Sequence, residues 1–232
     1  MIGVYDYTVV LTYLSLLSAG TGIVVSLGGR GHPFLGIFFL LICGLCDAFD
    51  GKVASTKKNR SDLERKFGIQ IDSLSDLIAF GVLPACIGAA FIRISAYLNN
   101  VVNINGTNWY NVGLKVFIFA ILILYILTAM IRLAYFNVTE EERQNTETGT
   151  RKYYLGLPVT SASLIFPSVA LLQYIIPTDL TWLYIAAIVV TGALFITPFK
   201  IKKFGLKGIL GLIGIGTLEF IALIVVRIIR RG

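Results

Sequence analysis

Four aspartates stand in two pairs within CGLCDAFDGKVASTKKNRSDLERKFGIQIDSLSDLIAF, residues 43–80: Asp47 with Asp50, and Asp72 with Asp76. Spacings of three and four put each pair on one helix face, about 4.5 and 6 Å apart along the axis. Carboxylate oxygens suit hard divalent cations (Mg²⁺, Mn²⁺ or Ca²⁺), which keep coordination positions open for phosphate. The cluster holds no His or Cys ligand, so zinc is not expected. Acidic side chains at the edge of an apolar phase are costly, about 2.5–3.5 kcal/mol for one Asp at a helix centre. Either divalent ions or the Lys and Arg of residues 52–66 must offset them. Gly51, Ala54 and Gly68 lie beside the carboxylates, where small side chains leave room for a ligand and also suit close helix packing.

The elements that carry these residues are apolar runs. The chain has 232 residues, 56% hydrophobic and 14% charged, with runs at 8–27, 33–50, 72–96, 114–136, 157–176, 180–198 and 206–229. Each is near the ~20 residues a helix needs to cross about 30 Å of hydrocarbon. Unbroken apolar runs exclude alternating barrel strands, and lipid requires backbone groups to be paired internally. The expectation is an all-α polytopic membrane bundle of six or seven helices, residues 1–232 forming one integral membrane domain. The first run has no basic leader or small-residue cleavage site before it and reads as a retained span. In this scheme both aspartate pairs lie at the same end of neighbouring helices. The chain leaves the membrane at Lys52 and re-enters near Ile71.

Charge orients the bundle. Thirteen of the 20 Lys and Arg fall in 52–66, 138–154 and 199–207, whereas the alternate loops hold Arg30, Arg93 and Lys115. The rich segments and the N-terminus therefore belong in the cytoplasm. The net +7 becomes a surface for anionic headgroups and not for nucleic acid. A single span at 206–229 would send the closing RIIRRG to the opposite side, whereas a hairpin would return it; both arrangements stay open. Cys43 and Cys46, a C-x-x-C within an apolar run, read as packing residues. Glu219 is an acid within the last span.

Written as D-x-x-D-G-x-x-A, a spacer, then G-x-x-x-D-x-x-x-D, residues 47–76 resemble the signature of the CDP-alcohol phosphotransferase family. The resemblance implies a six-helix core, here with an additional C-terminal hydrophobic segment, and a homodimer. It also implies an Mg²⁺ or Mn²⁺ site in which Asp47, Asp50 and Asp72 hold metal. Asp76 would help hold a second ion and take the proton of an attacking hydroxyl, and Gly51, Ala54 and Gly68 would shape a nucleotide pocket. The residue types suit that chemistry: metals polarise phosphoryl oxygens, a carboxylate serves as base, and in-line placement supplies much of the rest. Two departures stand out. The family's Arg after the Ala is Ser55, leaving Lys52 or Lys57 as replacement cations, and the spacer is about a helical turn longer.

A second resemblance addresses the acceptor. AMIRLAYFNV (129–138), YYLGLPVTSAS (153–163), DSLSDLIAFGVLPA (72–85) and DYT (6–8) resemble segments of bacterial and archaeal phosphatidylserine synthases, with Tyr135 replacing a second Arg. The implied reaction moves a phosphatidyl group from CDP-diacylglycerol to the hydroxyl of L-serine and releases CMP, at the cytoplasmic face of a prokaryotic membrane. Arg132, an intramembrane cation near that face, suits a carboxylate by bidentate pairing, from serine or from the aspartate cluster. Its alternative is snorkelling to lipid phosphate. Asn137 suits an amine or carboxylate, or a helix cap. TEEERQNTETGTRK (139–152) reads as a solvated loop. Two alternatives remain: a sister enzyme using glycerol 3-phosphate or an inositol phosphate, and a divalent-cation transporter. Transporter ligands usually sit near the midplane on broken helices.

Overall fold

The computed structural model describes residues 3–28, 32–146, 153–176 and 178–202, with 211, 214–219, 221 and 225. Most of the 206–229 run lies outside the described residues, as do Arg30, Arg151, Lys152, Lys203 and Lys207. A 3₁₀ turn at Tyr7–Val9 leads into α1 (Val10–Leu27), followed by α2 (Pro33–Ser55) and α3 (Asp62–Asp76). A π turn at Leu77–Val82 carries α3 directly into α4 (Leu83–Ile94). Beyond it lie α5 (Trp109–Thr146), α6 (Ala162–Ile175) and α7 (Thr181–Ile196).

Local chemistry sets these boundaries. Pro33 opens α2, where its missing N–H costs nothing. Ser61 caps α3 by accepting the Glu64 N–H at 3.2 Å, and Glu64 accepts the Ser61 N–H at 2.9 Å. That reciprocal cap starts the helix well before Ile71: α2 runs to Ser55, α3 begins at Asp62, and the connection is only Thr56–Ser61. The charged 139–152 segment is likewise not a loop at its start. α5 continues to Thr146, its last turns supported by an Arg143–Glu140 ion pair at 2.6 Å, one turn apart.

Among the described residues, four helices are long and apolar enough to cross a membrane: Tyr7–Leu27, Pro33–Ser55, Asp62–Ile94 and Trp109–Arg143. The expected spans at 157–176 and 180–198 become shorter apolar helices, Val159–Gln173 and Thr181–Ile196. The 14 residues of α6 rise only about 21 Å. Pro158 and the 3₁₀ turn at Val159–Ser161 delay its start. The molecule is an integral membrane helix bundle. One small exception to its all-helical character is an antiparallel pairing of β1 (Tyr153–Leu155) with β2 (Lys200–Lys202), which ties the approach to α6 to the exit from α7.

α1 packs along α2, α4 lies against both, and α5 lies against α7. The core they enclose contains Ile37, Leu40, Leu83, Ile87, Tyr125 and Phe166, all buried, with Tyr184 and Phe195 from α7. Tyr125 meets Phe166 edge-on at 5.7 Å, and Phe166 meets Tyr184 at 5.2 Å. Two phenols are placed by a backbone need. Pro84 has no N–H for the carbonyl one turn back, that of Phe80, and the buried Tyr125 hydroxyl donates to it at 2.7 Å. The Tyr184 hydroxyl donates to the Pro84 carbonyl at 3.0 Å. With no water in hydrocarbon to replace such a partner, Tyr125→Phe is expected to cost about 1–3 kcal/mol of stability. Denaturant midpoints in detergent micelles test this, and an unchanged midpoint contradicts it.

Candidate active site

On α2 the helical repeat puts Asp47, Asp50, Gly51 and Ala54 on one face, and on α3 it aligns Gly68, Asp72 and Asp76 at intervals of four. Two contacts set how these helices sit. The buried Ser75 hydroxyl donates to the Thr12 carbonyl at 3.2 Å, fixing the rotation of α3 against α1. At Gly44 a Cβ would overlap the Ser163 side chain, so α6 approaches α2 closely only because that position is glycine.

The two faces converge. One oxygen from each of Asp47, Asp50 and Asp72 lies within 4.8 Å of the others. These three carboxylates are half-buried. Asp50 also accepts the Gly51 N–H and touches the Asp72 carboxyl. Asp76 falls outside this trio but is buried, 8% exposed, and close enough to feel the charge of all three. Among the described residues no Lys or Arg forms a salt bridge with any of the four. Oxygens bound to one ion at 2.0–2.6 Å can lie up to about 5 Å apart, so the trio fits a single hard divalent cation. The donor set is all oxygen, as such ions require.

The neighbouring residues divide sharply. A Cβ built on Gly51 meets nothing within 4 Å, so space is open beside the trio. At Gly68 the space is filled: a Cβ there would come within 2.8 Å of the Arg60 guanidinium. Lys57, a candidate replacement for the family Arg, is bound elsewhere, to Asp6 at 2.6 Å and Glu64 at 2.8 Å. Lys52 is exposed, with its ammonium 5.4 Å from the Phe49 ring centre. The Cys43 thiol is buried and donates to the Ser15 carbonyl at 3.3 Å, a packing contact between α1 and α2. Glu219 is buried and accepts the Ser168 hydroxyl on α6.

The α5 residues lie on two sides. Asn137 does not cap a helix; its amide donates to the Ser73 hydroxyl at 2.7 Å, joining α5 to α3 between Asp72 and Asp76. Arg132 is 5% exposed and does not extend outward as a snorkelling side chain does. Its Nε donates to the Leu157 carbonyl at 3.1 Å, and its guanidinium lies 5.6 Å from the Phe136 ring centre. It lines a cavity of about 270 Å³ with Tyr135, Leu155, Phe195 and Thr197. Sequence reading did not single out Asp6, which pairs with Lys57, or Arg60, which rests against Gly68. Only the DYT segment pointed to the first.

Comparison with known proteins bears on the four-aspartate pattern. The model of the CDP-alcohol phosphatidyltransferase family matches residues 8–199. The chain belongs to that family. Two relatives are named CDP-diacylglycerol–serine O-phosphatidyltransferase. The one from Saccharomyces cerevisiae is 33% identical over 164 residues, covering 66% of this chain and 50% of the relative. The one from Helicobacter pylori is 28% identical over 177 residues, covering 75% and 63%. An archaetidylserine synthase from Methanothermobacter thermautotrophicus is 31% identical over 158 residues, covering 67% and 54%. The chain thus spans between half and under two-thirds of the length of these relatives.

The Asp6–Lys57 tie is testable by titration. The Lys57 ammonium, with help from the Thr8 hydroxyl, holds the Asp6 carboxyl down at about 2, below its ordinary 3.8. A depressed pKa contributes stability that is complete above 3.8 and is lost as pH falls toward 2. Wild-type protein is therefore expected to lose its stability margin over Asp6→Asn across that window, read as thermal midpoints at stepped pH. Parallel curves for the two proteins contradict it.

Proposed function

We propose that this chain transfers the phosphatidyl group of CDP-diacylglycerol to the hydroxyl of L-serine and releases CMP. The observation that carries the reading is the convergence of Asp47, Asp50 and Asp72 oxygens from two helices within 4.8 Å, at the positions of the family pattern. The serine acceptor draws on the names of the relatives and on a buried guanidinium at Arg132.

The bond changes are simple. The serine oxygen attacks the phosphorus that bears the diacylglycerol, the P–O bond to the CMP phosphate breaks, and the hydroxyl proton passes to a carboxylate, for which Asp76 is the candidate. Asp47, Asp50 and Asp72 would hold Mg²⁺ or Mn²⁺, with Asp76 contributing to a second ion. Such an ion, when bound, neutralises charge on phosphoryl oxygens and on the departing phosphate. The open space at Gly51 and the short side chain of Ala54 admit the nucleotide beside the carboxylates. Arg132 offers a fork for the serine carboxylate, and Asn137 holds the α5 side of the pocket against α3. The asymmetry of the basic segments supports a site at the cytoplasmic face, and a prokaryotic membrane follows from the resemblance to bacterial and archaeal enzymes alone. A homodimer follows from the family resemblance.

A transporter would be expected to carry its ligands on interrupted helices. Here Asp72 and Asp76 both lie in the regular turns of α3, ahead of the π turn at Leu77–Val82. Purified protein supplied with CDP-diacylglycerol, Mg²⁺ or Mn²⁺ and a panel of alcohols is expected to release CMP with serine. Asp76→Asn should lower turnover by about 10²–10⁴-fold. Arg132→Ala should raise the KM for serine more than it lowers kcat. Turnover with glycerol 3-phosphate but not serine rejects the acceptor, and Mn²⁺ uptake into liposomes without CMP release rejects the enzyme.

A further inference from the structure

The α2 end of the site carries no cation where the family pattern has one. Ser55 stands there, and its hydroxyl turns back to the Lys52 carbonyl at 2.7 Å. Of the cations that follow, Lys57 is held by two carboxylates and Lys52 lies against Phe49. Arg60 behaves differently. It sits at the end of the longer connection, and its side chain folds back across the first turns of α3. One Nη donates to the Glu64 carbonyl at 3.3 Å. The same nitrogen lies 2.8 Å from where a Cβ of residue 68 would stand, so the guanidinium rests on the bare face of Gly68.

That contact fixes its place relative to the carboxylates. Gly68, Asp72 and Asp76 share one stripe of α3, and Gly68 lies one turn, about 6 Å, above Asp72. No carboxylate among the described residues reaches salt-bridge distance of Arg60. Its Nε is buried and has no hydrogen-bond partner. A charged donor left unpaired away from water is costly, and the usual remedy is an acceptor supplied by a ligand. A planar guanidinium one turn above a cage suited to divalent cations has the charge and geometry to take phosphate oxygens.

We propose that Arg60 binds the pyrophosphate of the CDP-linked lipid and supplies from the longer connection the cation that Ser55 does not. The proposal rests on the nucleotide-lipid reading above. A side chain larger than glycine at residue 68 would displace the guanidinium. The competing role is structural, a cap on the Glu64 carbonyl that stabilises α3 and touches no ligand.

The test uses full-length protein in detergent and CDP as the soluble probe, bound in the presence of Mg²⁺. Arg60→Ala and Gly68→Ala are both expected to weaken CDP binding at least 10-fold. Both should raise the KM for CDP-diacylglycerol while leaving the KM for serine within two-fold. Restoration of CDP affinity in the double variant Arg60→Ala/Ser55→Arg supports a charge role. Wild-type CDP affinity in Arg60→Ala overturns the proposal, even where its melting temperature falls. Should Arg60→Ala not fold, Arg60→Gln and Arg60→Lys take its place, with loss expected for Gln and partial retention for Lys. CDP binding that depends on Arg60 without serine turnover removes the serine reading and keeps this one. Failure of the wild type to bind CDP removes both.

Discussion

Negative charge confined between two helices at the edge of the hydrocarbon is the constraint on which the rest of this structure depends. Two ionised carboxylates 4.8 Å apart repel by about 3–4 kcal/mol at an effective dielectric of 20, and three such pairs approach the stability of an entire domain. Single hydrogen bonds, worth about 1 kcal/mol each, do not hold α2 and α3 together against that. The apolar core resists it on one side, through Leu40, Leu83 and Ile87. On the other, the short Thr56–Ser61 connection and the Asp6–Lys57–Glu64 ties limit how far the helix ends can part. A divalent cation among the three oxygens would turn repulsion into attraction, so relief of this charge and the proposed chemistry would be served by the same kind of ion.

The rod from Asp62 to Ile94 is the organising element. Its first turns carry Gly68, Asp72 and Asp76, and its later ones the packing residues Leu83 and Ile87. The π turn between them begins directly after Asp76, and Pro84 follows within two turns. Those irregularities leave carbonyls that α5 and α7 satisfy through Tyr125 and Tyr184. The helices that anchor the rod are therefore chosen partly by its backbone defects. α5 adds a second tie at the level of the carboxylates, where Asn137 meets Ser73.

Much of the site was legible in the sequence because helical spacing is a strict rule. Aspartates three and four apart had to share faces, and apolar runs on either side had to set the pairs at one end of adjoining helices. The four long helices follow from the same reasoning. What was not legible depended on contacts between distant residues. Ser61 and Glu64 form a capping box that moves the start of α3 to Asp62, yet the surrounding charges resembled a solvated loop. Charge also disguised the last turns of α5, where Glu140 and Arg143 neutralise each other. Composition could not tell the 14 and 16 residues of α6 and α7 from full spans, because apolar flanks lengthened both runs. No periodicity reveals that Arg60 turns back onto Gly68 or that Lys57 is held by Asp6.

On this reading α2 and α3 share one ion. Electron paramagnetic resonance of Mn²⁺ titrated into the purified protein measures that directly, through the loss of the free-ion signal. The expected result is saturable binding by the wild type and its loss in both Asp47→Asn on α2 and Asp72→Asn on α3. Binding that survives intact in either variant, or that is absent from the wild type, contradicts the account.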